Sequence, residues 1–500
     1  MIRAASVLAF GALVAGCAAG PSYRPEQPIP PATRVGAARS GDSVAGFFDS
    51  LAAARSRDSA VAGAVPRVPA RSLRPDSAAA LAWLDLFRDS TLVGLVRTAL
   101  EQNRDLRTAV GRIHEFRAEV GVARSSLFPE LRANGSVSTN QVAIGSFPPT
   151  QYDAWRLTGD VAWELDFWGR ARRGIEAARA DLASEEASER AVVLSLVSDV
   201  ASGYLSLLEL DQEQAIAERT LASRQATLAL ARQRFEQGLT SELDVRQFEA
   251  QVAVPAATLA QTERLRAQQE HQLNQLLGET PTTVTRGGSL LAAVSALHVP
   301  DSLPATLLTR RPDVLAAERA YAAATARIGV AQASRLPTIS ITGSYGTQAS
   351  TAGDLFKSNT EIYQALAGVS VPLFTGGRLS NEKRAAEARA EQARNQYEQS
   401  VLVALREASD ALVGVRTARD QVLAQETQAQ ALRQALRLAE LRYQTGISNY
   451  LEVLEAQRSL FDAELALSQA QLGQLSAAVA LYRALGGSWT DAGPEGAARR

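Results

Sequence analysis

The chain has 500 residues, a formal net charge of -1 and a single cysteine. A balanced charge gives no electrostatic reason to expect nucleic acid or a polybasic membrane patch among its functions. One cysteine excludes an intrachain disulfide. Chains of this length usually form about three globular domains, but an internal repeat indicates a different organisation.

The repeat consists of two copies of one unit, 208 positions apart. Residues Arg234–Leu243 return as Arg442–Leu451, and Leu277-Gly278 returns as Leu485-Gly486 at the same offset. A repeat of this length, kept in register, defines the architecture. Glycine favours the position just past a helix end, and Ser or Thr caps the next helix. Each copy therefore predicts the tight turn of a long helical hairpin.

Residues 1–16 have the pattern of a secretory signal peptide, with a positive start, an apolar stretch over Val7–Val14 and small residues before Cys17. An ordinary signal peptide with an incidental cysteine is one interpretation. The stretch also resembles a bacterial lipobox, which implies cleavage before Cys17 and lipidation of its thiol. Ala18 as the next residue then favours sorting to the outer membrane. Acyl chains would add membrane affinity of ~0.8 kcal/mol per buried CH₂.

Residues 17–80 begin at the cysteine that the lipobox resemblance implies is lipidated. They predict an N-terminal tether, because they are rich in Ala, Pro, Ser, Arg and Gly without a sustained period. From Trp83 apolar residues recur at three and four, which predicts an amphipathic helix continuing to Ser125 and ending before Pro129. Beyond the leader, no window offers the ~18 consecutive apolar residues of a transmembrane helix.

Each repeat then alternates apolar and polar residues, over 130–167 and again over 337–375, which predicts two β-hairpins with one apolar face. Hairpins on a soluble core are one interpretation. Strands of ~10 residues with aromatic side chains near their ends are typical of a transmembrane β-barrel. These aromatic residues are Trp155, Trp163, Tyr345 and Tyr363. Four strands cannot close a barrel, and lipid does not tolerate an open edge. At least two chains must contribute, and three would supply twelve strands.

Long helices follow each β-hairpin. Residues 170–236 contain no proline, which predicts a continuous helix of ~100 Å. Its return partner and the equivalent in the second repeat complete helical hairpins over 168–278 and 377–486. Apolar residues from Phe461 to Tyr482 step by four and three, the pattern of a coiled-coil seam. Pro255 predicts a kink in the first return helix.

No motif indicates catalysis. The three histidines, His114, His271 and His298, are scattered and lie beside no cluster with metal-ligand spacing. The sequence has no phosphate loop, nucleophile elbow or zinc signature. The expectation is a protein that is not an enzyme and needs no cofactor or metal.

Several motifs together give a specific resemblance. They are Cys17 with Gly20-Pro21 and Tyr23–Pro25, Trp83–Leu106, Arg310–Val314, Pro372–Phe374 with Gly376–Arg378, and Arg442–Gln457. With these motifs the chain resembles the TolC-like outer membrane factors, specifically the lipoprotein branch of efflux systems (the NodT/OprM-like subgroup). The resemblance covers essentially the whole chain after Cys17.

The resemblance implies a fold that is mainly α with β: long antiparallel coiled-coil hairpins forming an α-barrel across the periplasm. The two β-hairpins would contribute four strands to a twelve-stranded transmembrane β-barrel in a homotrimer. The first repeat then covers 81–290, the second 291–488, and a C-terminal tail 489–500. The protein would be lipid-anchored in the cell outer membrane and would extend into the periplasm.

It also implies partners: a periplasmic adaptor and an inner-membrane transporter, of the RND type. The adaptor would dock at the two turns, through Gly238, Leu239, Gly446 and Ile447. Family members close this end with polar side chains on the inner returning helix, often aspartates.

The last turns before Gly446 contain no aspartate, so Arg437 and Glu440 are the candidates for the periplasmic aperture.

The implied function is an exit duct that conducts small molecules such as drugs out of the cell. Two alternatives remain. The same duct could serve type I protein secretion or metal-ion efflux. A lipid-anchored periplasmic coiled-coil scaffold, with the strands as ordinary hairpins, is the alternative of a different class.

Overall fold

The computed structural model describes residues 20–21, 23, 34–36, 87, 89–142, 149–296, 302–304, 310–445, 447–448 and 450–487. The leader, Cys17, most of the predicted tether, Gly446 and the C-terminal tail lie outside the described residues. Contacts divide the chain into two compact units. Unit 1 comprises 1–26, 111–186 and 316–398, and unit 2 comprises 27–110, 187–315 and 399–500.

Helices and strands follow one another in the order that the repeat predicts. The helices are α1 (Ser90–Gln102), α2 (Arg104–Ser125), α3 (Arg170–Glu236), α4 (Glu242–Leu277), α5 (Leu290–Ala296), α6 (Pro312–Ala333), α7 (Arg378–Gln444) and α8 (Tyr450–Ala484). The strands are β1 (Arg34–Gly36), β2 (Glu130–Val142), β3 (Thr150–Leu165), β4 (Ser302–Pro304), β5 (Thr338–Ala349) and β6 (Glu361–Ser370). Helices α3 and α7 each have 67 residues. Both their ends are 208 positions apart, so the two-copy architecture is confirmed.

Unit 1 contains an antiparallel sheet of four strands in the order β2-β3-β5-β6. One cross-strand row runs Leu131–Val161–Gly343–Ala365, and the next row runs Arg132–Asp160–Ser344–Gln364. Because neighbouring residues point to opposite faces of a sheet, one face is apolar across all four strands and the other is polar. The alternation predicted from the sequence is thereby confirmed.

The apolar face of this sheet is exposed, and its edges are open. Leu131, Tyr345, Tyr363 and Val369 are all exposed large apolar side chains. Strands β2 and β6 each pair with one neighbour only within the sheet. Within the part of the chain that the structure describes, their outer backbone N–H and C=O groups have no ladder partner, which is the situation of edge strands.

The first described residues of the predicted tether pack against helices of unit 1. The Tyr23 hydroxyl donates a hydrogen bond to Glu318 on α6 over 2.9 Å. Arg173 on α3 donates to the carbonyl of Gly20 over 3.2 Å. Gly20 has φ +96°, and a Cβ at this position would lie 2.4 Å from the Cα of Gly329. Only glycine fits such a left-handed conformation and backbone approach, so Gly20 and Tyr23 have defined positions against α6.

Unit 2 is built around an apolar core. Tyr204 and Val197 on α3, Leu92 and Val96 on α1, and Leu475 on α8 all have almost no exposed surface. The Tyr204 hydroxyl donates to Asp89 over 2.7 Å and accepts from the N–H of Gly287 over 2.9 Å. Burial and the neighbouring Asp89 raise the pKa of Tyr204 to about 12.

Helical character continues to Ser125 as predicted, but Asn103 divides the segment into two helices. Asp89 caps the start of α1, and α1 ends at Gln102 because Asn103 forms a cap between α1 and α2. The Asn103 side chain accepts the N–H of Leu106 and donates to the carbonyl of Leu276, both over 2.9 Å. Pairing a buried asparagine with a distant carbonyl stabilises the break.

The residues of the seam predicted on α8 face inward. Phe461, Ser468, Leu475, Val479 and Tyr482 are buried, and Leu465 and Leu472 are half-buried. Helix α4 continues through Pro255 without interruption. Within the described residues, α3 is the one helix with an 18-residue stretch long and apolar enough to span a membrane. Of that stretch, 56% is buried inside the protein. Its apolar residues therefore pack in the protein as a core helix does.

We expect Tyr204→Phe to lower the stability of unit 2. The change removes two hydrogen bonds and leaves the half-buried Asp89 carboxylate and the N–H of Gly287 without their partner, at a cost of ~1–3 kcal/mol. Thermal unfolding followed by circular dichroism measures the loss. Tyr363→Phe removes the same hydroxyl from an exposed ring and should leave the transition unchanged. Equal transitions for both variants would contradict the role of Tyr204.

Candidate functional site

The two repeated turns have the same backbone construction. In the first, Gly238 has φ +71°, its N–H bonds to the carbonyl of Phe235, and the N–H of Leu239 bonds to the carbonyl of Arg234, both over 2.8 Å. This is a left-handed helix end that glycine favours. In the second turn the N–H of Ile447 bonds to the carbonyl of Arg442 over 2.9 Å, the equivalent bond 208 positions on. Gly446 itself lies outside the described residues.

Each turn exposes two large apolar side chains. Leu239 and Leu243 are 71% and 66% exposed, and their equivalents Ile447 and Leu451 are 68% and 62% exposed. Leu239 and Ile447 were predicted from the sequence, whereas Leu243 and Leu451 were not. The available signal was an apolar residue four positions further on in both copies, at the start of the following helix. Matching apolar exposure in both copies indicates a contact surface rather than scattered surface residues.

The start of α4 after the first turn is held by a capping box. The Ser241 side chain accepts the N–H of Asp244, and the Asp244 carboxylate accepts from the N–H of Ser241 and the hydroxyl of Thr240. These hydrogen bonds to the charged form lower the pKa of Asp244. The stabilisation is therefore present above the ordinary pKa of an aspartate and is lost as the pH falls through the lowered value.

Four side chains, one from each of α3, α4, α7 and α8, tie the two helical hairpins together near the turns. Arg234 donates to the hydroxyl of Tyr443 over 2.5 Å, and its guanidinium lies 5.2 Å from the centre of that ring. Tyr450 packs against Tyr443 and Phe248, at 5.1 Å and 4.1 Å between ring centres. Burial raises the pKa of the Tyr450 hydroxyl. We call these four residues the tip cluster.

A second link between the hairpins lies further from the turns. Glu464 on α8 is buried and accepts from Arg433 on α7 over 2.9 Å and from Arg219 on α3 over 3.1 Å. Two arginines compensate the burial of one carboxylate, and removing either leaves that charge underpaired. Arg224 is also buried, lies 5.3 Å from the ring centre of Phe461 and donates to the carbonyl of Gln251 over 2.8 Å.

The two aperture candidates lie on the last turns of α7. Arg437 is exposed, and Glu440 is half-buried and acts on the pKa of Tyr450 in the tip cluster. The structure does not bring them together with Gly238 and Leu239 through a hydrogen bond or ion pair within the described residues. Among these same residues, no group of three His, Cys, Asp or Glu side chains has the arrangement of a metal site.

Comparison with known proteins decides the family. The family model described as "Outer membrane efflux protein" matches residues 95–279 and 303–487, two segments offset by the repeat length. The chain belongs to the outer membrane efflux protein family. That family is one of outer membrane channels, so this efflux protein is placed in the outer membrane, and its recognition from sequence motifs is confirmed.

Named relatives agree with this assignment. The solvent efflux pump outer membrane protein SrpC of Pseudomonas putida is 38% identical over 418 residues, covering 81% of this chain and 87% of SrpC. The cation efflux system protein CusC of Escherichia coli O6:H1 is 32% identical over 410 residues, covering 81% of this chain and 88% of CusC. The crystal structure of VceC from Vibrio cholerae matches with a TM-score of 0.73 at 29% identity, covering 82% of this chain and 99% of that one.

We expect Arg234→Gln to loosen the tip cluster, because it removes both the hydrogen bond to Tyr443 and the cation–π contact. Each contributes of the order of 1 kcal/mol. Hydrogen exchange of the amides in the last turns of α3 and α7 should become several-fold faster. A double-mutant cycle with Tyr443→Phe should be non-additive, since the two side chains act on one contact. Additive effects would show that the contact contributes nothing.

Proposed function

We propose that this efflux protein is a homotrimeric exit duct in which each chain contributes four strands to a twelve-stranded β-barrel. The four-stranded sheet carries this proposal. Its apolar face suits lipid, its polar face suits a water-filled lumen, and its two open edges are acceptable in a membrane only if other strands pair with them. Neighbouring chains of the trimer supply those strands, with β6 of one chain beside β2 of the next.

The two turns are the proposed docking tip for a periplasmic adaptor. At Gly238 and Gly446 the absence of a side chain would let the adaptor approach the backbone of the turn closely. Leu239 and Ile447, together with Leu243 and Leu451, would offer it apolar surface. Because each chain carries two equivalent turns, each chain offers two equivalent docking positions. The adaptor connects the duct to an inner-membrane transporter of the RND type, which supplies the energy.

The duct itself is passive and changes between closed and open states. An adaptor that binds the open tip better shifts that equilibrium by its difference in affinity. Arg437 and Glu440 on α7 are the proposed side chains of the aperture. The exposure of Arg437 and the position of Glu440 beside the tip cluster support this assignment.

The N-terminal organisation completes the proposal: signal peptide 1–16, lipidated Cys17, tether 17–80, repeats 81–290 and 291–488, and tail 489–500. The fixed position of Gly20 and Tyr23 on α6 supports an anchor that begins next to unit 1. The described helices fall within the proposed ranges except α5, which begins at Leu290 and crosses the proposed boundary between the repeats.

The proposed cargo is small molecules. SrpC is named for solvent efflux and TtgI of Pseudomonas putida for toluene efflux, and both are 38% identical to this chain. The second candidate is metal-ion efflux, because CusC is named for cation efflux at 32% identity. Selectivity lies mainly in the pump, so the duct is compatible with either cargo.

The trimer is tested by the mass of detergent-extracted protein together with single-channel conductance of the same sample in a planar bilayer. We expect three times the mass of one chain and a small or gated conductance. A monomer without conductance would show that the strands do not form a pore, and a lipid-anchored scaffold would then replace the duct.

Docking is tested with the double variant Leu239→Asp and Ile447→Asp. Each apolar side chain buried on binding contributes ~1.5–3 kcal/mol, so losing two should weaken adaptor binding by at least ~100-fold. Titration of the purified adaptor onto the trimer measures this change. Val254→Asp on α4 places the same charge at an exposed valine away from the turns and should bind normally. Unchanged affinity of the double variant would remove the turns from the docking surface.

A further inference from the structure

A polar belt interrupts the packing between α3 and α8 in unit 2. The apolar core reaches Leu208 on α3 and Leu475 on α8, and a smaller apolar cluster begins at Ile216 and Phe461. Between them, Gln212 donates to Gln471 over 3.0 Å, and Gln469 donates to Glu213 over 3.2 Å. The belt is therefore a place where polar groups, not apolar side chains, join the first helical hairpin to the second.

Glu209 is the unusual member of this belt. Its side chain is only 5% exposed, and Ser468 on the facing helix is completely buried. Glu209 Oε1 and Ser468 Oγ both lack a hydrogen-bond partner in the described part of the chain. The Ser468 hydroxyl is the donor that favours an ionised Glu209, but burial outweighs it. A buried carboxylate that no cation neutralises costs several kcal/mol, so an ionised Glu209 is disfavoured.

The charged group that acts on Glu209 is another carboxyl, Glu213, one helical turn further along α3. From α8 the belt presents the neutral side chains of Ser468, Gln471 and Gln469. Burial first, and then the charge of Glu213, raise the pKa of Glu209 to about 8. Glu209 is buried and Glu213 is half-buried. Two neighbouring carboxyl groups of this kind cannot both ionise easily, and the usual solution is a shared proton.

The arginines of the surrounding helices are engaged elsewhere. On α8, Glu464 takes Arg219 and Arg433. On the segment before α5, Arg286 pairs with Asp211 on α3 and Glu270 on α4.

Arg266 on α4 donates to Gln214 over 2.7 Å and lies 3.9 Å from Asp211. Within the described residues, the ion pairs of these arginines thus go to other carboxylates, and a proton is the remaining way to neutralise Glu209.

The repeat provides an internal comparison. The positions equivalent to Glu209, Glu213 and Ser468 hold Thr417, Gln421 and Ala260. The second copy forms a helix of the same length, 67 residues, without the two glutamates. The pair is therefore not required to form the long helix, and its presence at one site of the first copy calls for a separate explanation.

We propose that Glu209 and Glu213 share one proton, and that this buried proton-binding site makes the packing of α3 against α8 depend on pH. The protonated Glu209 carboxyl donates its O–H to the Glu213 carboxylate. When that proton leaves to solvent, two negative charges remain in the belt and the two hairpins separate more easily. The site belongs to the single chain and does not depend on the proposed trimer.

The direction of the pH effect follows from the raised pKa. The unfolded chain releases the Glu209 proton near the ordinary pKa of 4.5, whereas the folded chain holds it to about pH 8. The folded state binds more protons between these two values, so stability falls as the pH rises through this window and is level above it.

The test compares the wild type with Glu209→Gln, whose amide keeps the shape and a donor but cannot ionise. The melting temperature of the detergent-extracted protein is measured from pH 5 to pH 9, with Glu218→Gln as the matched control. Glu218 is an exposed glutamate on the same helix that accepts from Gln214 over 2.8 Å. We expect the wild type and the control to lose several degrees with rising pH, and Glu209→Gln to lose clearly less.

Infrared difference spectra of the same proteins provide a direct second measurement. At pH 6 the wild type should show the carbonyl stretch of a protonated carboxylic acid, and Glu209→Gln should lack it. Equal pH slopes in all three proteins, or an ionised pair at pH 6, would overturn the proposal. A wild-type slope that disappears on adding sodium or potassium would also overturn it, because a cation would then replace the proton.

Discussion

The backbone hydrogen bonds of the four-stranded sheet are the constraint on which the rest of the structure depends. Strands β2 and β6 have 13 and 10 residues, and each is paired on one side only. In hydrocarbon every unpaired N–H or C=O costs several kcal/mol of free energy. A single side-chain contact in the sheet contributes far less stabilisation than that. The proposed trimer satisfies this constraint, because strands of the neighbouring chains pair with both edges before the apolar face enters lipid.

The repeat fixes the backbone but not the environment of each side chain. Arg234 and Arg442 are equivalent in sequence, yet Arg234 binds Tyr443 and Arg442 binds Glu452. Glu464 is buried between two arginines, and its equivalent in the first copy is Ala256. Two similar hairpins that pack side by side face different neighbours, so one hairpin cannot simply repeat the contacts of the other. The apolar residues of the turns escape this divergence because most of their surface is exposed to solvent.

Local signals were enough to predict most of the fold. Period-two alternation predicted the two faces of the sheet, the absence of proline predicted the length of α3, and Gly238 predicted the position of the turn. Features that depend on a distant partner were not predictable. Asn103 interrupts the helix because its side chain donates to the carbonyl of Leu276. No pattern in the neighbouring sequence predicts that contact. The tip cluster and Glu209 escaped for the same reason: an arginine or glutamate on a long helix looks like part of a solvated face until the facing helix is known.

Burial along the helical hairpins of unit 2 changes in a way that suits a partner-binding end. Around Tyr204 and Leu475 the helices enclose apolar side chains almost completely, and hydrophobic burial makes this part expensive to open. Next to the turns, polar bonds and one aromatic cluster replace the apolar core, and Leu239 and Ile447 remain in water. Segments with few buried apolar contacts open at low cost. When the proposed adaptor covers these exposed apolar side chains, its binding energy can therefore rearrange the turns while the apolar core keeps its packing.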